Sequence, residues 1–200
     1  VAKYVRDRGH ADRDTLRIRT GRGILTLALT LVGGEVASVR VDMGRPILHG
    51  PLIPVAVDRN PVVQQPVTLA DGRSYAFTAV SMGNPHAVIV VDAIRDEQVH
   101  RDGREIEVHP LFPKRTNVEF VQVLSRRDVR MRVWERGAGE TLACGTGASA
   151  VGVACVLNGL TERDLTVHLL GGDLRITWAE NDHVFMDGPA TMVFDGTVAL

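Results

Sequence analysis

Two hundred residues can bury one large core or two small ones, and 44% apolar with 24% charged residues is an ordinary folded composition. A formal charge of −1 with scattered arginines supplies no field for steering nucleic acid or an anionic membrane, so neither is an expected partner. The apolar runs fall far short of the ~20 residues of a membrane helix, no charged start leads into an apolar signal segment, and two cysteines point to a reducing, cytoplasmic setting.

In chain order, VAKYVRDRG reads as the end of an amphipathic helix closed by Gly9, so the chain is expected to begin in mid-element. Strand patterns follow, separated by Gly, Pro and Asp turns: TLRIRT, ILTLALTL, VASVRV, YAFTAV and HAVIVV. Two short helices are expected within DEQVHRDGREIEVH, followed by strands at NVEFVQV and VRMRVW. The segment GASAVGVACVLNGL is apolar on every side and predicts a buried helix from Gly145 to about Gly159. LTVHLL, DLRITW, HVFM and TMVF close the series as strands. Strands wrapped around a central helix satisfy both facts.

A displacement of 150 positions aligns the start of the chain with its end. Gly9 falls on Gly159, Asp14 on Asp164 and Gly21 on Gly171, with helix end, turn and hairpin in the same order. On that spacing the counterpart of Cys144 would lie seven residues before Val1.

ETLACGTGASA places Cys144 where a loop meets the buried helix. Unpaired amides and the helix dipole there are expected to lower the thiol pKa, and the amides of Gly145, Thr146 and Gly147 could cradle an anion. A small cysteine that merely fits a crowded helix start is the alternative. Cys155 suits that role better, eleven residues along the helix and about 16 Å away. SMGNPHAVIVV sets Asn84 and His86 in a turn before a strand, either to meet an amino-acid-like ligand and tune a charge or as an Asn-Pro turn with an exposed His. Asn117 precedes NVEFVQV, where a plain strand-entry role is the simpler reading. Glu135 and Arg136 in MRVWERGAGET are expected near the thiol, Glu135 to meet an ammonium and Arg136 a carboxylate, with a surface ion pair as the alternative. His49, His100, His109, His168 and His183 show no metal-ligand spacing with the cysteines, so no metal is expected.

Together, ERGAGETLACGTGASA, SMGNPHAV, HPLFPKRTNVEFVQV and GPATMVFDG resemble the diaminopimelate epimerases, and the resemblance runs over essentially the whole chain. It implies an α/β (α+β) fold of two homologous halves, each a set of strands rolled around a central helix, with the first half incomplete. On this reading residues 1–44 are a remnant of the N-terminal half, 45–187 the C-terminal half with Cys144, and 188–200 a segment returning to the first. The resemblance implies interconversion of LL- and meso-diaminopimelate, for lysine and peptidoglycan, by a cofactor-independent mechanism using two cysteines. Carried over by position, Cys144 is the second of these cysteines. Asn84, Asn117, Glu135, Arg136, Gly145 and Thr146 contact substrate, while His86 and Glu135 modulate the cysteine pair. The first cysteine of the family belongs to a segment upstream of VAKYV, so this chain alone is expected to be inactive. A homodimer is left open, with Phe194 standing where many relatives carry Tyr at the dimer contact. Two alternatives stand beside this reading: another cofactor-independent racemase of the proline racemase kind, and a non-catalytic ligand-binding fragment.

Overall fold

A computed structural model describes residues 1–21 and 23–198. The chain divides into two compact units, one formed by Val1–Asp42 with the chain from Asp187 onward, the other by Met43–Met186.

The first unit holds α1 (Ala2–Asp7) and a meander of β1 (Thr15–Thr20), β2 (Gly23–Val32) and β3 (Glu35–Asp42), antiparallel at each step. Strand alternation turns Leu27, Leu29 and Val36 to one side, where they form a small core with Ala2 of α1. TMVF, expected as a strand, is not one. Beyond Ala190, whose amide reaches the Ala37 carbonyl (3.1 Å), residues 191–194 enter no described ladder, and Met192, Val193 and Phe194 are exposed.

The second unit is a mixed sheet in the order β11-β10-β8-β7-β6-β5-β4, with β9 paired to β8. Its strands are β4 (Gln65–Thr68), β5 (Ser74–Ser81), β6 (Pro85–Val90), β7 (Asn117–Val123), β8 (Asp128–Glu135), β9 (Gly139–Thr141), β10 (Asp164–Leu169) and β11 (Gly172–Trp178). β6 runs parallel to β7 and β8 to β10, whereas the remaining pairs are antiparallel. β12 (Val184–Pro189) carries the chain out of this unit. The two short helices of 96–109 form one continuous path, a π-helical turn (Gln98–Asp102) running into α2 (Gly103–Glu107). β4 and β9 escape the sequence pattern because β4 is four residues containing Pro66, tolerable at the end of the path, and β9 is only three residues long.

The apolar segment after Cys144 is α3 (Gly145–Leu157), buried from Gly147 to Cys155 and packed on β5, β6, β7, β10 and β11. Its small residues set the spacing: a Cβ added at Gly152 would stand 2.6 Å from Ile176 Cγ2. Strands do surround a central helix. Among the described residues no helix is long and apolar enough to cross a membrane.

The internal repeat is written in backbone hydrogen bonds. At the end of α1, Gly9 N meets Arg6 O and His10 N meets Val5 O; 150 residues later Gly159 N meets Val156 O and Leu160 N meets Cys155 O, with Gly9 and Gly159 at φ +73° and +70°. The hairpins match at 149 instead. Thr15 pairs with Ala28 and Thr20 with Gly23, as Asp164 pairs with Thr177 and Leu169 with Gly172. The bond Leu29 N to Asp14 O recurs as Trp178 N to Arg163 O, both 2.7 Å. The equivalences of Asp14 with Asp164 and Gly21 with Gly171 are therefore out by one, because one residue is lost between helix cap and hairpin.

Candidate active site

Period-two alternation decides which side chains meet α3. Ala87, Ile89, Val118 and Phe120 belong to the apolar cluster on one face of the sheet, so His86 on β6 and Glu119 on β7 point to the other. The parallel register places His86 opposite Asn117 and Val88 opposite Glu119. β5 and β6 join through a tight turn at 82–84, with Gly83 at φ +104°, and this turn delivers Asn84.

The start of α3 completes the cluster. Cys144 is the extended residue before the first helical turn, and its Sγ accepts from Gly147 N (3.4 Å) and lies 3.5 Å from Thr146 Oγ1. Thr146 Oγ1 in turn accepts from Asn84 Nδ2 (3.2 Å). Asn84 Oδ1 lies 3.1 Å from His86 Nε2, and His86 Nδ1 lies 2.6 Å from Glu119 Oε1. One connected path therefore runs Cys144, Thr146, Asn84, His86, Glu119. His86 is fully buried, which removes the exposed-turn reading of it.

The remaining expected residues form a second arm. Asn117 is buried and bridges two segments, donating Nδ2 to the Pro85 carbonyl (2.9 Å) and accepting from the Arg136 amide (2.8 Å). That exceeds a plain strand-entry role, since it ties the turn carrying Asn84 to the loop after β8. Glu135 accepts from Thr141 Oγ1 and acts electrostatically on Cys144. The exposed Arg136 side chain donates Nη1 to the Lys114 carbonyl (3.0 Å), so it is not half of a surface ion pair with Glu135. Gly145 is held against Met186, whose Sδ would stand 2.9 Å from a Cβ at that position.

The expectation of a lowered thiol pKa at Cys144 is overturned. Burial pushes the thiol up to about 11, the nearby Glu119 and Glu135 carboxyls act in the same direction, and the bonds from Thr146 and Gly147 recover only part of the rise. Cys155, fully buried with burial as the sole cause, is pushed up to about 12. Burial likewise raises Glu119, opposed by His86.

Glu119 is the residue missed by sequence reading. Its only signal was a carboxyl inside the apolar strand NVEFVQV, which alternation alone could equally turn to solvent. Among the described residues no group of three or more His, Cys, Asp or Glu side chains gathers as a metal site.

Residues 78–193, which contain every side chain of this cluster, match the family model described as diaminopimelate epimerase. The chain is 53% identical over 197 residues to the diaminopimelate epimerase of Desulfitobacterium hafniense, covering 98% of this chain and 69% of that protein. The chain belongs to the diaminopimelate epimerase family. The diaminopimelate epimerase of Acetivibrio thermocellus is 54% identical over 201 residues, covering 100% of this chain and 71% of that protein. The family makes the chain an isomerase of lysine biosynthesis acting on a small molecule. Two solved structures share the fold. One is a probable proline racemase from Agrobacterium radiobacter, with TM-score 0.74 and 14% identity, covering 100% of this chain and 65% of the other. The second is a hydroxyproline epimerase from Agrobacterium vitis, with TM-score 0.67 and 15% identity, covering 94% and 61%. At that identity they support the α+β fold alone, whereas the relatives near 50% identity favour the diaminopimelate family over a proline racemase.

Proposed function

We propose that Cys144 is the acid–base group on one face of the α-carbon as LL- and meso-diaminopimelate interconvert, and that Asn84, Asn117, Glu135, Arg136, Gly145 and Thr146 bind the substrate. The observation that carries this reading is the thiol at the start of α3, bonded to Thr146 and Gly147 and linked through Asn84 to a buried His–Glu pair. Inverting a carbon centre requires a base on one face and an acid on the other, each within hydrogen-bond reach of its proton. With its pKa near 11 Cys144 rests as a thiol at neutral pH, the form that delivers a proton. Cys155 cannot share this work, being buried three helical turns away.

First-turn amides at Gly145 and Thr146, which no intrahelical carbonyl reaches, suit the α-carboxylate. Arg136 offers a planar fork for a second carboxylate, and Glu135 offers a counter-charge for an ammonium. His86 and Glu135 modulate the thiol. We assign the reaction to the cytoplasm without a cofactor, and a homodimer is checked by sedimentation.

The deciding experiment follows α-deuterium incorporation from heavy water into each diaminopimelate isomer with the active epimerase and its Cys144→Ala variant. Loss of exchange into one isomer's face in the variant is expected. Undiminished exchange into both would sink the assignment.

A further inference from the structure

Glu119 has no part in the roles above. It is fully buried, its Oε1 lies 2.6 Å from His86 Nδ1, and its Oε2 has no hydrogen-bond partner. The groups that face it are His86 from β6, Glu135 from β8 and Cys144 from the start of α3. A Cβ at Gly147 would stand 2.9 Å from Glu119 Oε1 and 3.2 Å from Cys144 Sγ. Carboxyl and thiol thus face one another across the space that a side chain at 147 would fill.

The bonding dictates a proton count. Asn84 Oδ1 can only accept, so the His86 Nε2 facing it carries a proton. On the other side of the ring, a 2.6 Å contact between Nδ1 and Oε1 requires one proton between them. Whether that proton is drawn on the ring or on the carboxyl, the pair holds the same number of protons and the same net charge, zero. An isolated carboxylate this deep is costly, and sharing a proton with the ring relieves that cost. Burial raises the carboxyl's proton affinity, which favours a proton held in the pair.

We propose that Glu119 is a positioning residue of the epimerase site: it holds His86 in a charge-neutral, proton-sharing pair that aims Nε2 at Asn84 and so fixes the Asn84 amide against Thr146, beside the Cys144 thiol. The proposal rests on the assignment of Cys144 and Asn84 made above. It separates two roles within one chain of contacts, with Asn84 and Thr146 meeting the substrate and Glu119 setting the angle and charge state from which they do so.

Nuclear magnetic resonance of protein labelled with ¹⁵N-histidine reads the pair directly. The expected wild-type signature is a His86 ring with a proton on Nε2 and a strongly deshielded, slowly exchanging proton at Nδ1 that persists through the neutral pH range. In Glu119→Gln the deshielded resonance should vanish, and kcat/KM should fall about tenfold, equivalent to about 1.4 kcal/mol. A merely structural carboxyl would show the same resonance yet leave kcat/KM unchanged in the folded Gln variant, so an unchanged kcat/KM overturns the positioning role. A wild-type spectrum with no deshielded proton between His86 Nδ1 and the Glu119 carboxyl overturns the proposal without any variant having to fold, and a Gln variant that keeps the resonance overturns it as well. Because the spectrum is taken without substrate, failure of the unaltered epimerase to turn over diaminopimelate would count against the functional reading and leave the Glu119 result standing.

Discussion

The thiol of Cys144 should be slow, and the structure says by how much. A thiol with pKa about 11 is one part in about a thousand thiolate at pH 8, against about one part in ten at the ordinary value of 9.0, so alkylation by iodoacetamide should run roughly a hundredfold slower than for an unhindered cysteine. The rate should climb tenfold per pH unit through pH 9 and 10 without levelling. Cys155 is replaced by Ala to leave a single thiol; at about 12 and fully buried, it would add little signal in any case. Mass spectrometry of quenched time points gives the rate at each pH. Thr146→Val, which removes one of the two bonds that favour the thiolate, should slow the reaction further at every pH. A profile that levels off below pH 9 would refute the reasoning. It would show that the helix start outweighs burial and the two carboxyls, as the position of Cys144 at a helix start first suggests.

Two further outcomes test the frame around the site. Gly152→Val should destabilise the protein by about 3 kcal/mol and lower Tm by on the order of 10 °C in calorimetry, since even a Cβ there meets Ile176 at 2.6 Å; an unchanged Tm would mean that α3 is not seated against β11. Asn117→Ala leaves the buried Pro85 carbonyl and the Arg136 amide without their partner, and should cost about 2 kcal/mol in urea unfolding while speeding exchange of the Arg136 amide; a slow, unaffected amide would show that the loop after β8 holds itself.

Local pattern made most of the strands and the buried helix legible, because alternation and an all-apolar segment depend only on neighbours in sequence. TMVF fails for the opposite reason: it has the alternation of a strand and no described ladder to join. The cluster of Asn84, His86, Cys144 and Thr146 was legible as separate motifs, but their joining into one bonded path depends on the β6–β7 register and the placement of α3. Glu119 was illegible for the same cause, since NVEFVQV does not say which face another element will cover. The thiol pKa followed the wrong effect because a helix start is visible in the sequence, whereas desolvation and a carboxyl delivered from another strand are not.

The one-residue discrepancy between the two copies of the helix–hairpin unit has a bearing on how the chain can change. Ala11, Asp12 and Arg13 bridge His10 to Asp14 in the first copy, while Thr161 and Glu162 alone bridge Leu160 to Arg163 in the second. The flanking bonds are the same in both. This joint therefore exists in two lengths within a single molecule, so it is a place where a family can gain or lose a residue without resetting the frame on either side. An insertion inside a strand enjoys no such freedom: one residue added there would turn every side chain beyond it to the opposite face.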